Sequence, residues 1–201
     1  MRHFSYVKFL SGLVAVFVCG STADVPALAQ TSPASPAVST QSANTLDSLF
    51  ADLKRERDDR QAKRISERIW AKWRDSGSAT ANLLMQWADK AVSDKKNGLA
   101  LDLLDQVVVL MPDYAEGWNR RATLNYAMGR HAKSMSDISR VLALEPRHFG
   151  AISGMAAILA ASGNDELEMR AWEQVLEIYP ANRQAQTRLG ELADKLAGSR
   201  I

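Results

Sequence analysis

Few residues of this chain have the side chains that enzymes use for nucleophilic attack, proton transfer or metal binding. The sequence has three histidines and one cysteine, and that cysteine, Cys19, lies inside an apolar run near the N-terminus. His131 and His148 each follow an expected helix break, and neither belongs to a recognised metal-ligand motif. Because catalysis requires several convergent reactive groups, we predict no enzymatic activity, no metal site and no cofactor. We expect both histidines to lie at the surface or to pack against turns.

Two glycines, Gly150 and Gly154, have a spacing that occurs in phosphate-binding loops. A nucleotide fingerprint places its glycines in a loop between a strand and a helix, whereas these two lie within an expected helix. We therefore expect them to let neighbouring helices approach closely. The formal net charge is +2, which gives no sign of the large basic surface that nucleic acids require. We predict no nucleic-acid partner.

Residues 54–74 form a highly charged segment with nine basic and four acidic residues. Interleaved charges of both signs on a helix are typical of a solvated face, on which each ion pair contributes ~0.3–0.5 kcal/mol. The alternative is that this helix binds anionic lipid or cell-wall polymer, which would make the chain a peripheral envelope protein. The sequence favours the solvated face and leaves the alternative open.

The N-terminus has the three parts of a secretory signal peptide over residues 1–29. Arg2 and Lys8 supply positive charge, Phe9–Gly20 is apolar, and Ala27-Leu28-Ala29 matches an A-x-A cleavage site. The apolar run has 12 residues, fewer than the ~20 that a membrane-spanning helix needs. We predict export to the periplasm with cleavage after Ala29. An uncleaved segment would instead anchor the chain in the membrane.

The composition changes twice after the predicted signal peptide. Residues 30–45 are mostly Ser, Thr, Pro, Ala and Gln and contain no charged residue. Such a segment cannot bury enough apolar surface to offset the entropy of ordering it, so we predict a disordered linker. From Leu46 onward, apolar residues recur at the 3.6-residue spacing of amphipathic helices, and no stretch has the alternation of a strand.

An internal repeat organises the helical region. Pro112, Pro146 and Pro180 are spaced by 34 residues, and each follows the same apolar pattern, as in Val107-Val108-x-Leu110-x-Pro112. Proline cannot continue a helix and disfavours helical geometry in the residue before it, so each proline marks the end of a helix. A second break divides each unit, at Gly129 in one and at Gly163-Asn164 in the next. Each unit is therefore a pair of helices.

These units resemble tetratricopeptide repeats (TPRs). The repeat at residues 115–148 matches the family pattern with Trp118, Ala122, Gly129, Ser134, Ile138, Val141 and Pro146, and residues 81–114 and 149–182 match it less fully. The resemblance implies an all-α fold, a TPR-type α-solenoid in which antiparallel helix pairs form a right-handed superhelix. Residues 46–76 look like a degenerate helix pair that extends the array at its N-terminal end. Residues 183–198 look like a C-terminal capping helix, so the TPR domain is expected over residues 46–198.

Two positions depart from the family pattern. Arg121 stands where an apolar residue normally packs between helices, and we expect its stem to lie on apolar surface with the charged head in water. Glu168 replaces the small residue at the helix crossing of the third repeat. We expect that repeat to splay or shift slightly.

The family resemblance also implies where a partner binds, because the first helices of TPRs line a concave groove. The candidate groove residues of this chain are Asn82, Met85, Asp89, Val92, Glu116, Asn119, Thr123, Tyr126, Ser153 and Ala157. Met85 and Asp89 stand where family members that clamp a terminal carboxylate have Lys and Asn, so chaperone C-terminal tails are not the expected ligands. The groove is predicted to be acidic around Asp89 and Glu116 and small and apolar toward the third repeat.

The sequence therefore predicts a periplasmic scaffold or adaptor that binds another protein and catalyses nothing. Its partner would be a protein or peptide segment with an apolar stretch and a nearby basic residue. Tyr126 is the predicted anchor, because an aromatic side chain buries a large area at little entropic cost. The alternative is that the groove is only solvated and that partners use another face.

Overall fold

The computed structural model describes residues 45–198, which form nine α-helices and contain no strand. The predicted signal peptide and nearly all of the predicted linker lie outside the described residues. The helices are α1 (Leu46–Arg55), α2 (Asp59–Arg74), α3 (Ala79–Ser93), α4 (Asn97–Leu110), α5 (Ala115–Ala127), α6 (His131–Leu144), α7 (Phe149–Ala161), α8 (Asp165–Ile178) and α9 (Arg183–Gly198). Within residues 45–198, no helix is both long and apolar enough to cross a membrane.

Local sequence signals explain most helix boundaries. The side chains of Thr45, Asp58 and Ser78 each accept a hydrogen bond from a backbone N–H in the first turn of the helix that follows. The turn inside each repeat has one residue with a left-handed backbone, at positions 34 residues apart. Glycine occupies that position in the second and third repeats, Gly129 and Gly163, both with φ of 71°. The first repeat has Lys95 there, with φ of 59°.

The predicted series of helix pairs is confirmed. The pairs α3–α4, α5–α6 and α7–α8 each pack as a hairpin, α5 also packs on α4, α7 packs on α6, and α9 covers α8. Equivalent positions in the second helices are buried in every repeat, as for Val107, Val141 and Val175, each with 0% exposure. These contacts bury the apolar stripe of each helix against the next one along the chain.

The pair α1–α2 packs differently from the expected extension of the array. Rather than stacking on the first repeat, it packs against α5 and α8 and shares a hydrophobic core with Phe149, Trp172 and Tyr179. Helix α2 runs along the row of loops that connect successive repeats, residues 111–114, 145–148 and 179–182, which we call the inter-repeat edge. Ser66 hydrogen-bonds Tyr179, and the carbonyl of Arg74 accepts a 3.0 Å hydrogen bond from the Tyr114 hydroxyl.

Arg121 is ion-paired, which corrects the expectation that its charged head lies in water. Its Nη2 is 2.6 Å from Oδ1 of Asp137 and its Nη1 is 2.8 Å from Oδ1 of Asp105. The guanidinium also lies 4.7 Å from the centre of the Trp118 ring. Asp137 is buried, so its pair with Arg121 replaces apolar packing between α5 and α6 with charge-assisted hydrogen bonds.

Glu168 is buried at the crossing of α8 and is paired rather than displaced. Its Oε1 is 2.6 Å from Nε of Arg188 on α9 and accepts a 3.0 Å hydrogen bond from Nε1 of Trp172. The guanidinium of Arg188 lowers the pKa of Glu168, which keeps the carboxylate ionised. A partner charge on the next helix therefore accommodates the residue that departs from the family pattern.

Candidate binding groove

The structure divides the ten predicted groove residues into three classes by exposure. Four side chains are exposed: Asp89, Val92, Thr123 and Tyr126. Three are half-buried: Asn82, Ser153 and Ala157. Three are buried and cannot present their side chains to a partner without rearrangement: Met85, Glu116 and Asn119.

Glu116 was expected to make the groove acidic, and its burial corrects that expectation. Only 2% of the residue is exposed. Its carboxylate accepts hydrogen bonds of 2.8 Å from Nδ2 of Asn119 and 3.0 Å from Nε of Arg120. His148 Nε2 lies 3.3 Å from its Oε2. Its carboxylate is therefore directed into the protein, beneath the groove.

His148 is a buried turn residue and not a surface residue. Its Nδ1 accepts a 3.1 Å hydrogen bond from the N–H of Ala151 and so caps α7. An acceptor at Nδ1 places the proton of the neutral ring on Nε2, which faces Glu116. The ring stacks on Trp73 with centroids 3.9 Å apart and an interplanar angle of 8°. His148 therefore joins α2 to the repeat array.

Trp70 and Trp73 place α2 beside the groove, an arrangement that the sequence reasoning missed. Trp70 packs edge-on against Phe149 with centroids 5.5 Å apart. A Cβ atom at Gly150 would lie 2.5 Å from Cη2 of Trp70, so only glycine admits the indole at this point. The signals that could have revealed this contact are the two tryptophans of α2 and a glycine in the first turn of α7.

Helix α2 forms one wall of two clefts whose opposite walls are the predicted groove. A cleft of about 430 Å³ lies between α2 and α5, lined by Glu67, Trp70, Arg74, Glu116, Asn119, Arg120 and Thr123. A cleft of about 320 Å³ lies between α2, α3 and α5, lined by Ala71, Arg74, Asp75, Asn82, Met85, Gln86, Asp89 and Arg120. Arg74 and Arg120 line both, so the two clefts adjoin. We call them together the α2 cleft.

The α2 cleft has an acidic excess even though Glu116 is buried. Its lining holds four carboxylates, those of Glu67, Asp75, Asp89 and Glu116, and only two arginines. Asp89 and Arg120 pair at 3.1 Å, and the Asp89 side chain remains 52% exposed. A hydrogen bond from the N–H of Gly77 and a second, weaker contribution from the amide of Asn82 lower the pKa of Asp75, so this carboxylate stays ionised. A basic group on a partner would meet negative charge here.

Tyr126 lies farther along α5, toward the third repeat. It is 38% exposed and stacks on His131 with ring centroids 5.3 Å apart and an interplanar angle of 19°. The stacking restrains the ring, which lowers the entropy lost when a partner covers it. On α7, Ser153 donates its hydroxyl hydrogen to the carbonyl of Phe149 and leaves a small surface beside Ala157. The predicted groove residues thus include charged side chains beside α2 and small side chains on α7.

Among residues 45–198, no group of three or more His, Cys, Asp or Glu side chains is arranged to hold a metal ion. The buried ionisable residues pair with each other, as Asp137 does with Arg121. The described part of the chain thus offers surfaces and clefts for binding.

Comparison with known proteins gives the same architecture. The chain is 63% identical over 155 residues to a TPR repeat-containing protein of Rhizobium etli, and the match covers 77% of this chain and 76% of the relative. It is 24% identical over 125 residues to small glutamine-rich tetratricopeptide repeat-containing protein 2 of Mycosarcoma maydis, with 62% of this chain and 36% of that protein covered. No family model matches the sequence.

Solved structures of similar fold are TPR domains and MamA. The first TPR of Spaghetti (RPAP3), bound to the HSP90 peptide SRMEEVD, matches 60% of this chain and 95% of its own with a TM-score of 0.56 and 25% identity. The Sgt2 TPR domain of Aspergillus fumigatus has a TM-score of 0.56 and 18% identity over 61% of this chain and 83% of its own. MamA has a TM-score of 0.52 and 16% identity over 74% of this chain and 81% of its own.

Proposed function

We propose that this chain, which belongs to the tetratricopeptide-repeat family, is a non-catalytic scaffold that binds a segment of another protein in the groove beside α2. The observation that supports the proposal is the α2 cleft, which continues into the exposed surface of Thr123 and Tyr126. Helix α2 gives this groove a second wall, so a bound segment would contact side chains on both sides. Contact on two sides buries more of a bound segment than a single helix face could.

The chemistry of the groove favours a segment with a basic residue followed by small or apolar residues. The basic residue would lie near Asp75 and Asp89 in the α2 cleft, whose whole lining holds four carboxylates and two arginines. The apolar part would cover Tyr126 and Ala157. Each group on the partner then meets a complementary surface, which gives the segment one preferred direction.

An acidic C-terminal peptide is not the ligand that this groove favours. The RPAP3 domain named above is bound to the peptide SRMEEVD. In this chain Met85 is buried and Asp89 adds negative charge at the corresponding face. Like charges across an interface oppose binding, so we expect the peptide SRMEEVD to show no saturable binding when titrated and followed by calorimetry.

The groove is tested by arginine substitutions that block it. The double variant Tyr126→Arg and Ala157→Arg places two long charged side chains on the proposed binding surface. We expect crosslinking in intact cells to capture at least tenfold less partner with this variant. A loss of about 1.4 kcal/mol in binding free energy already weakens binding tenfold. The matched control is Val109→Arg with Ala143→Arg, on exposed positions of α4 and α6. Equal capture by the groove variant and the control variant would contradict the proposal.

We also propose that the scaffold acts in the periplasm after removal of residues 1–29. The support is the sequence pattern of Arg2, Lys8, the apolar run and Ala27-Leu28-Ala29. N-terminal sequencing of the protein from a cell-envelope fraction should begin at Gln30. An intact Met1 would overturn cleavage, and recovery from the cytoplasmic fraction alone would overturn export.

A further inference from the structure

Helix α2 has a row of basic side chains on the face opposite the repeat array. Arg60, Arg64, Arg68 and Lys72 are spaced by four residues and are all exposed, and we call them the basic stripe. A helix turns 100° per residue, so each step of four residues advances by about 40°, and the stripe winds about 120° around α2 over about 18 Å. The apolar face of α2 is buried against the array, as at Ile69 and Trp73. The stripe therefore points away from the protein.

Three of the four acidic residues of the segment 54–74 are used elsewhere, and the fourth, Glu67, lines the α2 cleft. Asp58 caps the N-terminus of α2, Asp59 pairs with Arg183 at 3.2 Å, and Glu56 accepts hydrogen bonds from two backbone N–H groups of the α1–α2 loop. Among residues 45–198, Arg60, Arg64 and Lys72 form no ion pair. These three side chains are exposed, as the sequence favoured, but without the ion pairs that were expected on this face.

Like charges at i and i+4 on a helix repel each other and weaken it by a few tenths of a kcal/mol per pair. Arg60 and Arg64 are such a pair, and both side chains are exposed. An anionic ligand would convert this repulsion into attraction. The charge pattern thus contributes nothing to the stability of α2 and is suited to binding an anion that spans several side chains.

We propose that the basic stripe binds the phosphate headgroups of an anionic phospholipid membrane. The stripe lies on a convex helix surface without a cleft, which suits a plane of charges better than a folded acidic protein that would need a complementary shape. The exposed face of α2 adds no large apolar side chain beside the basic residues, so contact is electrostatic and without insertion. Lys54 and Arg57 extend the positive charge of the hairpin α1–α2.

The test is sedimentation of the purified chain, beginning at Gln30, with vesicles. One set contains phosphatidylglycerol and phosphatidylcholine, and the other contains phosphatidylcholine alone. We expect binding to the anionic vesicles only, with strong weakening between about 0.01 and 0.15 M salt as the Debye length falls from about 30 to 8 Å. A basic residue near an anionic surface contributes about fivefold to binding, so Arg60→Gln, Arg64→Gln and Lys72→Gln together should weaken it about a hundredfold.

The matched control has the same change in charge on other exposed basic residues, Arg130→Gln, Lys133→Gln and Arg170→Gln. It should bind anionic vesicles nearly as well as the wild type, and far-UV circular dichroism should show both variants folded. Equal losses in the two variants would overturn the stripe as the site. If the wild type does not bind anionic vesicles at low salt, the proposal of membrane binding is wrong. Binding to soluble polyglutamate without vesicle binding would identify an acidic polymer as the ligand instead. None of these results depends on the groove, because Arg60, Arg64 and Lys72 do not line the α2 cleft.

Discussion

The outer face of α3 and the inter-repeat edge show where this array is open and where it is closed. At the outer face, where a preceding repeat would stack, Leu83 and Trp87 are 43% and 52% exposed. Their equivalents one repeat later are Gly117, which is buried, and Arg121, which is ion-paired to the preceding repeat through Asp105. Along the inter-repeat edge, in contrast, α2 buries Trp73 against His148. The N-terminal helix pair α1–α2 is therefore not another repeat, and it forms a wall beside the groove.

The largest expected change in the free energy of unfolding distinguishes Trp73 from Trp87. Trp73→Ala removes a buried indole and its stack on His148, so it should lower the free energy of unfolding by about 3–5 kcal/mol. Trp87→Ala removes a half-exposed side chain from the open face and should change the free energy by about 0.5 kcal/mol or less. Urea unfolding followed by far-UV circular dichroism measures both. Equal losses would mean that the outer face of α3 is covered and the comparison is wrong.

Trp73→Ala removes a large side chain, so a smaller change tests the packing of the inter-repeat edge more specifically. Gly150→Ala places a methyl group 2.5 Å from Trp70, and overpacking of this kind costs about 1–3 kcal/mol. The matched variant Gly154→Ala, one turn later in α7, meets Ile138 at 3.4 Å and should be neutral or gain up to about 1 kcal/mol in helix propensity. Thermal unfolding should order the variants with Gly154→Ala above Gly150→Ala. The reverse order would show that α2 does not lie against α7.

The smallest effect lies in the first repeat itself. Lys95 has a left-handed backbone with φ of 59°, where the other two repeats have glycine. A side chain in that conformation costs about 1–2 kcal/mol, which glycine would avoid. Part of that stabilisation is lost again, because glycine has greater conformational entropy in the unfolded chain. Lys95→Gly should therefore raise the free energy of unfolding by about 0.5–1 kcal/mol. Gly129→Ala is the converse control and should be destabilising, and stabilisation by it would contradict the turn geometry.

Sequence reasoning succeeded where the determinant was local. The proline spacing and the glycine turns predicted the helix pairs, because each acts within a few residues. The second helices of the repeats are buried where the family pattern predicts, as at Ile138 and Val141. These features depend on backbone geometry and helical period alone.

The reasoning failed where a distant helix decides the environment. Glu116 and Asn119 occupy positions that line the groove in the family, and they are buried here because the inter-repeat edge and α2 enclose them. Periodicity shows that α2 has an apolar face, but it does not show which surface that face meets. The choice depends on the fit between Trp70 and the space left at Gly150.

The placement of α2 along the inter-repeat edge is tested most directly by nuclear Overhauser effects in the unmodified protein. The rings of Trp73 and His148 have centroids 3.9 Å apart, so their ring protons should show strong cross-peaks. Cross-peaks should also connect Trp70 with Phe149, whose ring centroids are 5.5 Å apart. Cross-peaks from Trp73 to Leu83 or Trp87, with none to His148, would instead place the hairpin on the outer face of α3 and remove the second wall of the groove.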